Sequence, residues 1–219
     1  MKTKEILLLV WLTALGLFRV LPEAMAQTVP CATPQQSQDS IIAREKRILQ
    51  LKRQLTKNAR VTQSMASQYL PIKAHILRRT DGTGGLSLAN LNTALAQINL
   101  YFLNIGAGVQ FYFCGSPDFI DNTALFDYDS SEESALCNTR DVSDAINIYF
   151  ANTIQSGATQ VSGYAYFPGT SSITNRIFLQ VQFATDNRTL PHEMGHYFNL
   201  LHTFQNSTHA NNNEREFVT

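Results

Sequence analysis

The chain lacks a net charge: 17 Lys+Arg are matched by 17 Asp+Glu over 219 residues. A balanced total offers no electrostatic footprint for a phosphate backbone, so nucleic acid is not an expected partner. Only one long apolar run is present, at the N-terminus, and no second segment approaches membrane-spanning length. No internal repeat or low-complexity tract appears, no serine nucleophile motif supports Ser/His/Asp catalysis, and no glycine loop follows a strand as phosphate binding would require. The glycine cluster Asp81-Gly82-Thr83-Gly84-Gly85 reads as a turn instead. With these classes set aside, there remains a chain that is 44% hydrophobic, long enough for one or two domains with a real core.

Residues 1–26 have the features of a signal peptide. Lys2 and Lys4 form a basic start, Ile6 to Leu21 is largely apolar, and Ala24-Met25-Ala26 offers small residues ahead of Gln27. The apolar run is short and Arg19 interrupts it, which favours export over anchoring. The mature protein is therefore expected to be secreted, with no stable membrane insertion after cleavage. In an oxidising compartment cysteines favour disulfides. Cys114 and Cys137 flank an acidic loop region and can pair, which leaves Cys31 as the odd one.

Charge is unevenly spread. Residues 27–60 hold seven Lys/Arg against two Asp/Glu, whereas residues 61–219 hold seven against thirteen. A basic arm, residues 27–68, is thus joined to an acidic domain. Within the arm Ile41, Ile48, Leu51 and Leu55 fall close to helical spacing, which predicts a helix with a narrow apolar stripe. Such an arm is either a solvated linker or a pro-segment that docks on the domain of opposite charge.

From residue 69 the pattern is that of a globular domain. Ile72 to Arg78 reads as a strand. Ser87 can cap a helix in which Leu88, Leu91, Leu95, Ile98, Phe102 and Ile105 recur at helical steps, and Gly106 can end it. Val109–Gly115, Ile146–Phe150, Gly163–Phe167 and Arg176–Phe183 supply β-rich runs, the last alternating cleanly. A strand, a helix, four strands and a final helix predict an α+β fold, or an α/β-like one: a mixed twisted sheet with helices against it.

The chemistry concentrates in "LPHEMGHYFNLLHTFQN", residues 190–206. Pro191 suits the first turn of a helix, and Thr189 or Asn187 can cap it. His192 and His196, four apart, share a helix face and can offer neutral imidazoles to one zinc ion at about 2.0–2.1 Å. Glu193, one step on, is not a ligand but can take a proton from a water at the metal. A third ligand requires the chain to turn. Asn199 tolerates the left-handed conformation that ends helices, and it stands between His196 and His202, which then completes a tripod. His75 and His209 match no ligand spacing and read as a strand residue and a tail residue.

"HEMGHYFNLLH" resembles the metzincin signature His-Glu-x-x-His-x-x-Gly-x-x-His, and "HEMGH" followed by "LLHTF" is similar to the pappalysin branch of zinc endopeptidases. The resemblance implies that His192, His196 and His202 are zinc ligands and Glu193 the general base. It also implies a metzincin N-terminal subdomain, with a backing helix and an active-site helix, over residues 69–219. Asn199 replaces the family's glycine. The family follows its third histidine with a C-terminal subdomain bearing a methionine turn; here seventeen residues follow His202 and none is methionine, so an incomplete catalytic domain is expected. The resemblance also allows a latent form in which the Cys31 thiol occupies the open metal position. The competing reading of Cys31 is a disulfide to a cysteine beyond residue 219.

Asp127, Asp129, Glu132 and Glu133 in "DYDSSEE" could bind calcium, but lack a recognisable loop spacing and read better as a solvated acidic loop. The expected protein is therefore a secreted zinc endopeptidase acting on protein or peptide substrates. The alternative is an extracellular binding module that keeps the zinc as structure.

Overall fold

The computed structural model describes residues 30–33, 37–58, 67–168 and 175–202. The segment read as a signal peptide and His209 lie outside them. In chain order the elements are α1 (Gln38–Asn58), β1 (Gln68–Arg78), α2 (Leu88–Asn104), β2 (Val109–Phe113), β3 (Asp118–Asp121), α3 (Thr123–Phe126), β4 (Asp127–Asp129), a 3-10 turn (Ser130–Glu132) and α4 (Glu133–Cys137). Then come β5 (Ile146–Ala151), β6 (Thr153–Ser156), β7 (Thr159–Gln160), β8 (Gly163–Ala165), β9 (Arg176–Gln180), a second 3-10 turn (Val181–Phe183) and α5 (Thr189–Tyr197).

The fold is α+β, as the sequence predicts. The main sheet runs β2-β1-β5-β9-β8, with β3 continuing beside β1 past the end of β2. All of its pairings are parallel except the last, in which β8 runs antiparallel to β9. β4, β6 and β7 form a separate three-stranded sheet. Its strands are two to four residues long, too short for alternation to reveal them in the sequence.

Alternating residues of the central strands feed two cores. Ile72, Ala74 and Ile76 of β1, Ile148 and Phe150 of β5, and Ile177 and Leu179 of β9 pack toward α2 and α5, where Leu91, Ile98, Leu190 and Met194 are buried. The opposite face carries Leu77, Tyr149 and Phe178 against Tyr128, Leu136, Ile154 and Tyr164. Across β1, β5, β9 and β8 the registered residues His75, Tyr149, Phe178 and Tyr164 stack ring on ring, with centroids 4.2, 4.8 and 4.9 Å apart. Covered on both sides, β9 is buried at all five positions. The alternation read over Arg176–Phe183 is one between two cores, and the strand stops at Gln180.

α2 forms where its apolar spacing puts it. Ser87 accepts a hydrogen bond from the Asn90 N–H at its start, and Gly106, at φ 64°, follows its end. The expected helix of the basic arm is α1; Ile41 on it is buried.

The expected Cys114–Cys137 disulfide is absent, and all three thiols are free. Cys114 is exposed just past β2, whereas Cys137 is sealed in the second core at the end of α4, where burial pushes its thiol up to about 12.

Candidate metal centre

α5 starts at Thr189, and Asp186 braces that start: its Oδ1 accepts from the N–H groups of Arg188 and Thr189 while Oδ2 accepts from the Thr189 hydroxyl. The N-cap position is Arg188 rather than Thr189 or Asn187, and Asp186 supplies the side-chain bonds at this end; Asn187 takes a left-handed turn at φ 61°. An anionic side chain at this end also meets the positive pole of the helix dipole.

The other end of α5 is a Schellman turn. The Asn199 N–H donates to the His196 carbonyl and the Leu200 N–H to the Gly195 carbonyl, both at 2.8 Å. Asn199 holds φ 75°, the left-handed geometry that its residue type tolerates. The turn reverses the chain and brings His202 back beside the helix face that carries His192 and His196. The Nε2 atom of His196 lies 3.0 Å from that of His192 and 2.9 Å from that of His202.

The electrostatics favour neutral rings. Burial, followed by the charges of His196 and His202, lowers His192 to about 4. Burial and then His196 lower His202 to about 4, and burial lowers His196. His196 gives its Nδ1 hydrogen to the Leu200 carbonyl at 2.8 Å, which leaves the Nε2 lone pair facing the other two rings. Phe167 packs edge-on against His196 at 5.4 Å.

A fourth donor arrives from the N-terminal segment. Cys31 Sγ and one nitrogen from each of the three rings all lie within 4.8 Å of one another, and among the described residues no other group of His, Cys, Asp or Glu side chains comes together in this way. The set fits a metal ion. Tetrahedral bonds of about 2.0–2.1 Å require nitrogens about 3.3 Å apart, close to the spacing found, and thiolate with imidazole is a donor set suited to zinc.

Glu193 is fully buried on the same helix. It lies against β8, where a side chain at Gly163 would come 3.3 Å from Glu193 Cγ and 2.7 Å from the Phe178 carbonyl oxygen. That close approach requires glycine at 163. β8 is braced from behind by a buried ionic cluster. Arg176 bonds Glu133 at 3.1 Å and Asp141 at 2.5 Å, Glu133 accepts from the hydroxyls of Tyr164 and Tyr166, and Tyr149 donates to Asp141.

The four acidic residues weighed for calcium do not converge. Asp127 accepts from Asn152 and Thr153, Asp129 and Glu132 close a capping box, and Glu133 is taken up by Arg176 and the tyrosines. His75 is buried between Asp118 and Asn147 rather than merely lining a strand. Sequence reasoning missed Asp186 and Thr33; the aspartate ahead of Pro191 was a legible cap signal, whereas nothing local marked the threonine.

Residues 129–216, which contain the histidine motif, match the peptidase family model described as pregnancy-associated plasma protein-A. Over these residues the chain is similar to that metallopeptidase family, and the matched stretch takes in His192, Glu193, His196 and His202. Its fold is similar to that of a mutant promirolysin from Tannerella forsythia, with a TM-score of 0.53 and 14% identity, over 79% of this chain and 69% of that one. A metalloproteinase-II from Bacteroides fragilis gives a TM-score of 0.40 and 14% identity over 66% of this chain and 46% of its own. No curated protein sequence matches the chain.

Proposed function

We propose that the chain is a secreted zinc-dependent endopeptidase in a latent state, with His192, His196 and His202 as metal ligands and Glu193 as general base. The observation that carries this reading is the meeting of three neutral imidazoles beside a buried carboxylate at the edge of a sheet. Residues 1–26 serve as the export leader, residues 27–68 as a pro-segment, and residues 69–219 as the catalytic part. Among the described residues no helix is long and apolar enough to cross a membrane.

Zinc, when bound, supplies a Lewis acid that acidifies a water and polarises a peptide carbonyl. The protein's own groups do the rest. His196 is held in one tautomer by the Leu200 carbonyl, so its Nε2 presents a lone pair without reorientation. An extended substrate can hydrogen-bond to the edge of β8, as residues 30–33 do here, which fixes its carbonyl relative to Glu193. Glu193 accepts the proton of the attacking water and returns it to the leaving amine. While Cys31 stands among the imidazoles, its sulfur fills the position that water and substrate need.

A closed set of one thiol and three imidazoles is also the arrangement of a structural zinc site, which supports the second reading, a non-enzymatic binding module. One experiment separates the two. The zinc-loaded protein is freed of its N-terminal arm by limited proteolysis and assayed on an unstructured protein substrate, alongside Glu193→Ala and His202→Ala. An endopeptidase cleaves, retains zinc but loses cleavage in Glu193→Ala, and loses zinc in His202→Ala. Equal cleavage by Glu193→Ala and the parent removes the assigned base; full zinc in His202→Ala removes the tripod.

A further inference from the structure

Cys31 and Thr33 lie two residues apart on a short extended segment, so both side chains face the same way. The segment adds to the main sheet beside β8: Ala32 donates to the Gly163 carbonyl at 3.0 Å and the Pro30 carbonyl accepts from Ser162 at 2.9 Å, in a parallel bridge of Cys31 with Gly163. One side chain enters the imidazole cluster. The other is 5% exposed and reaches a different group: the Thr33 hydroxyl donates to Glu193 Oε2 at 3.1 Å and accepts from the Ala165 N–H at 3.0 Å. The Thr33 N–H also points at Cys31 Sγ, 3.3 Å away.

We propose that Thr33 is a second latch, which secures the latent state by binding the Glu193 carboxylate and so reinforces the hold that Cys31 has on the metal centre. The inference deepens the reading of Glu193 as the base and rests on it. A carboxylate that accepts from a buried hydroxyl is engaged by a charge-assisted bond, and the same hydroxyl is fastened to the sheet through Ala165. The two contacts engage different groups, the thiol the imidazole cluster and the hydroxyl the Glu193 carboxylate. Opening the site therefore requires both contacts to break, and each makes the other harder to lose because they share one strand.

The test uses the full chain and reads the rate at which iodoacetamide alkylates Cys31, followed by peptide mass, with exposed Cys114 as the internal reference. Thr33→Val, Thr33→Ser, Glu193→Ala and the Thr33→Val/Glu193→Ala double variant are compared, metal-free and zinc-loaded. Loss of a hydrogen bond to a charged group predicts a rise of roughly tenfold or more in the Cys31 rate for Thr33→Val. Glu193→Ala should give a similar rise, the double variant no more than either single, and Thr33→Ser the parental rate, with Cys114 unchanged throughout. An unaltered rate in Thr33→Val, or a double variant equal to the product of the singles, overturns the latch. The zinc arm tests the underlying reading separately: if zinc fails to slow Cys31 in the parent while the Thr33–Glu193 coupling persists, the latch stands and the metal centre does not.

Discussion

His196 donates its Nδ1 hydrogen to the carbonyl of Leu200, four residues on and 2.8 Å away. The bond joins the helix end to the tautomer of the ring, because that carbonyl is in reach only after the left-handed turn at Asn199. One backbone conformation thus directs the His196 lone pair and returns His202 to the cluster.

Asn199 is accordingly the position at which a local backbone change should reach the metal. A β-branched residue in the left-handed region costs about 1–2 kcal/mol, so Asn199→Val should lose about that much in urea unfolding. Losing the outer-sphere support should weaken zinc by roughly 10–100-fold in a chelator competition. Asn199→Gly should retain both properties. Parental zinc affinity in Asn199→Val would show that the turn does not set the ring.

Stability of the metal-free protein should fall with acid. His192 and His202 protonate near pH 4 in the folded state and near 6.5 when exposed. Between those values the unfolded chain binds more protons, so unfolding becomes easier as pH drops from about 6.5 to about 4. The urea midpoint measured at pH 7, 5.5 and 4 checks this. The fall should shrink in a His192→Leu/His202→Leu variant, and an equal fall there would assign the effect to other groups.

The cluster behind β8 should be costly to break from one side. Glu133→Ala leaves Arg176, 3% exposed, with Asp141 alone and deprives two tyrosine hydroxyls of their acceptor. Removal of one member of a buried pair costs about 3–5 kcal/mol. Thermal unfolding and urea titration of Glu133→Ala measure it, and a loss below 1 kcal/mol would mean that the cluster is not a brace.

The sequence disclosed those parts of the molecule whose determinants are local. α2 was legible because six apolar residues keep helical spacing between a serine cap and a glycine stop. The three histidines were legible because helix geometry and one turn fix their convergence within eleven residues. The short second sheet was not, since strands of two to four residues carry no period. β9 was legible as a strand, but not its burial on both faces, because the alternation there is between two kinds of core. The disulfide expectation followed the compartment and could not foresee that Cys137 would be enclosed by Tyr128, Tyr149 and Phe178. Thr33 and Glu193, 160 residues apart, meet only through the sheet.

Residues 30–33 satisfy backbone groups at the edge of β8, the Gly163 carbonyl and, just before the strand, the Ser162 N–H. Their departure would give the sheet a bare margin, able to recruit any extended chain, a neighbouring copy included. The contacts proposed to hold the site latent would therefore also cover the sheet edge, and release of the arm would expose it as a docking rail. The three-residue length of β8 bounds that exposure.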